Sequence, residues 1–279
     1  MFGPKRENMK GTKKWILGDK LKFKDSFYPI ISAIGLVVIW YGIILVLSVP
    51  KFLLPDPYAI FRVIISESSM LSSHLLVTVK ETVLGFILAL VVAVPISVAV
   101  VWWKPFERTV MPLLVFLQTV PKVSIAPLFI IWFGFGYFPK VLVSFLLAYF
   151  PIVIEMITGM RDIPFEMLDL SKSMATTPIQ SFIKFRIPNS LPYLFNGLKL
   201  GVLLALTGAI TGEFMGSTEG LGYLIMYANV RLNTTLLFAV LVCLLFLGKI
   251  IYTMVEWIER YAISWHVVLR EKEKAQMAA

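Results

Sequence analysis

Three charged side chains stand where charge is costly. Lys122, Glu155 and Glu213 each fall inside a long apolar run. A charge at such a depth in lipid faces a cavity or a partner by default. Lys122 lies between Pro121 and Pro127, and broken helices at mid-depth commonly line binding sites. A cation there attracts an anionic solute, or it snorkels or pairs with Glu155 or Glu213. Glu213 precedes a glycine-rich stretch from Gly216 to Gly222 and reads as a gate or an interface marker; Glu155 reads the same way. These three are the pathway or gate candidates, and their chemistry is electrostatic recognition, not bond-making.

Bond-making signatures are missing from the sequence. It carries no Gly-x-x-x-x-Gly-Lys-Ser/Thr phosphate loop, no His-Glu-x-x-His pair and no Gly-x-Ser-x-Gly elbow. Its histidines are His74 and His266, and Cys243 is its single cysteine. The expectation is therefore no catalytic residue, no metal and no cofactor on this chain. Any ATP and Mg²⁺ used to drive work would sit on a partner.

The elements that position these charges follow from composition. Of 279 residues, 58% are hydrophobic and 15% charged, and mean hydropathy is +0.82. A soluble domain carries about 25% charged residues, so lipid is the solvent for most of this chain. A helix rises about 1.5 Å per residue, so roughly 20 apolar residues cross the hydrocarbon. Six runs qualify: Pro29 to Pro50, Thr82 to Trp103, Thr109 to Gly136, Pro139 to Met160, Gly197 to Gly216 and Leu232 to Trp257. The expected class is an all-α membrane protein of six transmembrane helices. It divides into a basic segment over 1–28, a transmembrane domain over 29–265 and a tail over 266–279. With the N-terminus in the cytoplasm, inner segments hold 18 Lys and Arg against 4 outside, which sets both termini inside. The net charge of +9 thus reflects residues flanking spans and facing lipid headgroups, not a nucleic-acid surface.

Residues 161–196 form the longest inner connection. Phe165 to Met174 has helical apolar spacing, at 167, 170 and 174, and Ala175-Thr-Thr177 breaks it. Thr177-Pro-Ile-Gln180 reads as an N-cap, a first-turn proline and a closing capping box. Two short helices and a tight corner are expected, either packed under the bundle or offered to a cytoplasmic partner. In span five the glycines at 201, 208, 212 and 216 share a face, which suits close helix packing within the subunit or across a dimer seam.

Asp169-Leu-Ser-Lys-Ser-Met-Ala175-Thr176, then eleven residues to Ile187-Pro188, resembles the "EAA" loop of ABC-importer permeases. Ala126 to Gly136, Ala148 to Ile152 and Gly212 to Ile225 resemble the branch serving sulfonates, taurine, nitrate and thiamine-precursor pyrimidines. Asp169, Leu170 and Ala175 stand where that motif usually has Glu, Ala and Gly, so the corner must turn without its glycine.

The resemblance implies a type I, MetI-like permease fold, a homodimer in the plasma (inner) membrane and a separate cytoplasmic ABC ATPase gripping this loop. It also implies an extracytoplasmic substrate-binding protein. Phe165, Leu168, Asp169, Ser171, Lys172, Met174, Ala175 and Thr176 are then the expected ATPase-coupling residues. Lys122 tilts the substrate toward a small anion such as a sulfonate, with a thiamine-precursor pyrimidine as the alternative. A membrane-embedded enzyme would need convergent reactive groups, and an ATP-independent carrier would show an internal repeat; neither is visible.

Overall fold

The computed structural model describes residues 28, 31–32, 34–47, 49–50 and 52–264. The basic segment, apart from Tyr28, and the tail over 266–279 lie outside them. In chain order the helices are α1 (Ile34–Leu47), α2 (Pro57–Ser66), α3 (Ser68–Trp102), α4 (Lys104–Thr119), α5 (Ala126–Phe133), α6 (Tyr137–Arg161) and α7 (Phe165–Ser173). They continue with α8 (Pro178–Ser181), α9 (Ile187–Phe214), α10 (Leu221–Val230) and α11 (Thr234–Ala262).

Among the described residues, four stretches are long and apolar enough to cross a membrane: Ser68–Trp102, Tyr137–Arg161, Pro178–Phe214 and Thr234–Ala262. The third expected span is broken. Pro121 and Pro127 lack the N–H that a continuous helix needs, and α4 meets the turn and helix from Lys122 to Phe133 at 90°. That makes five spans if the bent pair is one. Of the first expected span, the described helix is α1.

The centre of the bundle is α3, α6 and α9, and small residues let them meet closely. Ser144 of α6 sits between Gly85 and Gly208. A Cβ at 208 would lie 2.6 Å from Ser144 Cα, and one at 85 would overlap the Ser144 side chain. Ser144 Oγ donates to Ala205 O at 2.9 Å, and Ser97 Oγ reaches Val153 O at 3.2 Å. Gly201 and Gly212 face Ile152 and Lys140 of α6. The glycine face of α9 is thus spent on packing inside the subunit. Gly216 lies beyond the helix, at φ +127°, against the Phe135 ring. Outward faces of α1, α4 and α5 remain apolar and exposed, as at Val46, Phe116 and Ile131.

Candidate functional site

Residues 161–196 fold as a knob at the end of the bundle where α6 stops and α9 starts. Pro164 precedes α7, and Ser171 is its one buried residue. The Ser171 and Thr176 hydroxyls lie 2.6 Å apart, and Ser171 Oγ donates to Ser181 Oγ at 3.0 Å. This cross-brace fixes α7 against α8. Ala175 holds φ +49° at the corner. The capping box forms: Gln180 N donates to Thr177 Oγ1, and Thr177 N donates to Gln180 Oε1. One wide turn over Phe182–Arg186 then leads into α9.

The root of the knob is tied to α6. Asn189 Nδ2 donates to Gly159 O at 2.8 Å and to Asp162 O at 2.7 Å. Arg186 donates to Met160 O at 3.1 Å, and Tyr193 Oη donates to the Asp162 carboxylate. Arg161 pairs with Glu107 of α4 at 2.6 Å. Backbone carbonyls at the end of α6 and just past it, which the helix itself cannot satisfy, thus receive donors from Arg186 before α9 and Asn189 in its first turn.

The outer side of the knob is apolar. Phe165 is 73% exposed and Met174 63%, and Ile179, Ile183, Leu170 and Met167 are also exposed. Asp169 and Lys172 pair with each other at 3.3 Å on the surface. Leu168 and Thr176 are half-buried. Of the expected coupling residues, Phe165, Asp169, Lys172, Met174 and Ala175 therefore lie on the surface, while Ser171 braces the interior. Leu170, Ile179 and Ile183 extend the exposed face beyond the expected set; their helical spacing was the available signal.

The three buried-charge candidates separate into two places. Lys122 and Glu155 line one cavity of about 500 Å³ with Gln118, Phe150, Pro151 and Leu200. Lys122 Nζ donates to Gln118 O at 3.2 Å and stands 4.9 Å from the centre of the Phe150 ring.

Glu213 lies elsewhere, toward the end of the bundle opposite the knob. Its Oε1 accepts from Thr78 Oγ1 at 2.6 Å, and its Oε2 accepts from Gly222 N. Thr78 Oγ1 accepts from Leu221 N at 2.8 Å, and His74 Nδ1 accepts from Gly220 N at 3.0 Å. Beside it, Lys140 Nζ meets Glu81 at 2.5 Å and donates to Ser217 Oγ at 3.0 Å. Glu81 and Glu213 are essentially inaccessible, at 0% and 1% exposed. The cluster joins α3, α6, α9 and the loop before α10. Lys140 is one of the four Lys and Arg counted outside, and Glu81 directly precedes an apolar run; a charge beside such a run is the sequence signal for both. A second buried pair, Lys199 with Glu259 at 2.6 Å, links α9 to α11. Among the described residues, no group of His, Cys, Asp and Glu is arranged to hold a metal ion.

Residues 82–263 match the family described as "Binding-protein-dependent transport system inner membrane component". The formylaminopyrimidine transport permease protein ThiX of Halalkalibacterium halodurans is 32% identical, covering 86% of this chain and 96% of its own. The riboflavin transport system permease protein RibX of Chloroflexus aurantiacus is 34% identical, over 82% of this chain and 87% of its own. The putative aliphatic sulfonates transport permease protein SsuC of Bacillus subtilis is 31% identical, over 82% and 84%. In fold, a chain of the MetNI methionine ABC transporter in an inward-facing conformation superposes with TM-score 0.61 at 21% identity, over 70% of this chain and 97% of that one.

Proposed function

Because the chain belongs to the binding-protein-dependent transport system inner-membrane component family, we propose that two copies of it enclose the translocation pathway of an ABC importer, coupled through residues 161–196. The chain is a permease subunit of the inner membrane, and ATP hydrolysis belongs to a partner ATPase. A substrate-binding protein is the second partner the family implies.

The observation that carries the coupling assignment is the combination at the knob. An apolar face is offered outward while the root is hydrogen-bonded to α6 and α9. An apolar surface at the tip suits a protein groove, and a stiff root passes a rigid-body push into the bundle where a loose loop would absorb it. The knob faces the cytoplasm in this reading, with both termini on the same side. The ATPase binds Mg²⁺ and ATP; this chain binds neither.

The substrate is a small nutrient of the range seen in the names of the relatives: a formylaminopyrimidine, riboflavin or an aliphatic sulfonate. It passes the cavity of Lys122 and Glu155. Glu213 and its neighbours hold the opposite end of the bundle closed.

The test is co-purification of the detergent-solubilised permease with its ATPase, followed by transport in proteoliposomes. Met174→Glu or Phe165→Asp places a charge in the apolar face and should lower ATPase retention at least tenfold, the effect of about 1.4 kcal/mol. Retention and coupled transport equal to wild type in both variants would show that the knob is not the docking element.

A further inference from the structure

Lys122 and Glu155 share the wall of one cavity, and they are not spent on each other. No ion pair joins them, and Glu155 makes no hydrogen bond among the described residues. Lys122 is held by a single carbonyl and an aromatic face, which leaves ammonium donors for a solute. Glu155 supplies the acceptor on the opposite side of the lining, beside Pro151 and Ile154. The cavity therefore has a donor pole at Lys122 and an acceptor pole at Glu155.

We propose that this cavity is a two-pole substrate subsite that takes small dipolar solutes, with an anionic or acceptor end at Lys122 and an amino donor end at Glu155, in preference to simple anions. The inference rests on the reading of the chain as a permease and names the substrate class for its pathway. The charge arithmetic decides against a simple anion. Attraction to Lys122 is offset by repulsion from Glu155 in the same space, whereas both terms favour a solute that carries both ends. A volume of about 500 Å³ falls within the roughly 300–1,000 Å³ of small-molecule sites.

The experiment uses the full permease in complex with its ATPase, with Cys243→Ala and a reporter Leu200→Cys on the cavity wall. The probes are two methanethiosulfonates of similar size, one carrying an aminoethyl and one a sulfonatoethyl group. Both should modify the reporter. Lys122→Gln should shift the rate ratio about tenfold toward the cationic reagent, Glu155→Gln about tenfold toward the anionic one, and the double variant should return to the parent ratio. Taurine should protect the reporter more than ethanesulfonate, which differs from it by lacking the amine. A reporter that neither reagent reaches, ratios unmoved by the variants, or taurine protection no greater than that of ethanesulfonate would overturn the proposal. Failure of the permease reading would show separately, as loss of ATPase association or indifference to the knob variants.

Discussion

At Ala175 the chain does what a side chain disfavours. Its φ is +49°, and the left-handed region costs an L-residue about 1–2 kcal/mol. The resembled motif usually has glycine there; here the corner is turned without it, helped by the Ser171–Thr176–Ser181 hydroxyl brace. Ala175→Gly should raise stability by about 0.5–1 kcal/mol, since glycine's greater freedom in the unfolded chain offsets part of the relieved strain. Thermal unfolding in detergent checks this; an unchanged or lower midpoint contradicts it. Residue-level reading of the sequence reached the departure at 175 because a motif offers a reference residue at that position. It did not reach the pairing of Glu81 with Lys140, because the two are 59 positions apart and only the helix packing joins them. That pair makes a second prediction. Lys140→Met leaves Glu81 and Glu213 buried without their cation, and breaking a buried pair from one side costs about 3–5 kcal/mol. Glu81→Gln with Lys140→Met should recover much of that loss. A single variant as stable as wild type would mean that the carboxylates find water instead.

Elements were more legible than their mutual contacts. The capping box at Thr177 formed as its residue types require, since an N-cap threonine and a third-position glutamine satisfy each other's backbone donors locally. The break after α4 was visible in Pro121 and Pro127, though not its 90° angle, which depends on what the next helix packs against. The glycine face of α9 was visible too, but its partner was not, because packing within a subunit and across a seam demand the same small residues. The structure sets that face against α6. Gly208→Val should therefore act within the subunit. Its Cβ would meet the Ser144 backbone, which cannot move aside as a flexible side chain can. Overpacking of this kind costs about 1–3 kcal/mol. The unfolding midpoint should fall even in a preparation that remains dimeric; a drop in dimer content at unchanged midpoint would place the glycine face at the seam instead.

For the whole molecule, the question is how a push on the knob becomes motion of the pathway. α6 carries Glu155 in its last third and ends at the knob root, where Asn189 clamps the Gly159 and Asp162 carbonyls to α9. α9 lies along α6 through its glycine face and ends at Glu213. In the proposed reading, knob, α6 and α9 form one lever that passes the Lys122–Glu155 cavity and finishes in the buried cluster of Thr78, Glu81, Lys140 and Glu213. A lever of this kind needs its joint more than its tip. Asn189→Leu removes two donors from carbonyls that have no helical alternative, each bond contributing about 1 kcal/mol, while leaving the exposed apolar face intact. The variant should retain the ATPase as wild type does but move several-fold less solute per ATP hydrolysed in proteoliposomes. Tip variants such as Met174→Glu should instead lose the ATPase itself. If Asn189→Leu keeps full coupling, motion does not travel through the α6–α9 joint. If it sheds the ATPase as Met174→Glu does, the residue shapes the docking face and is no joint.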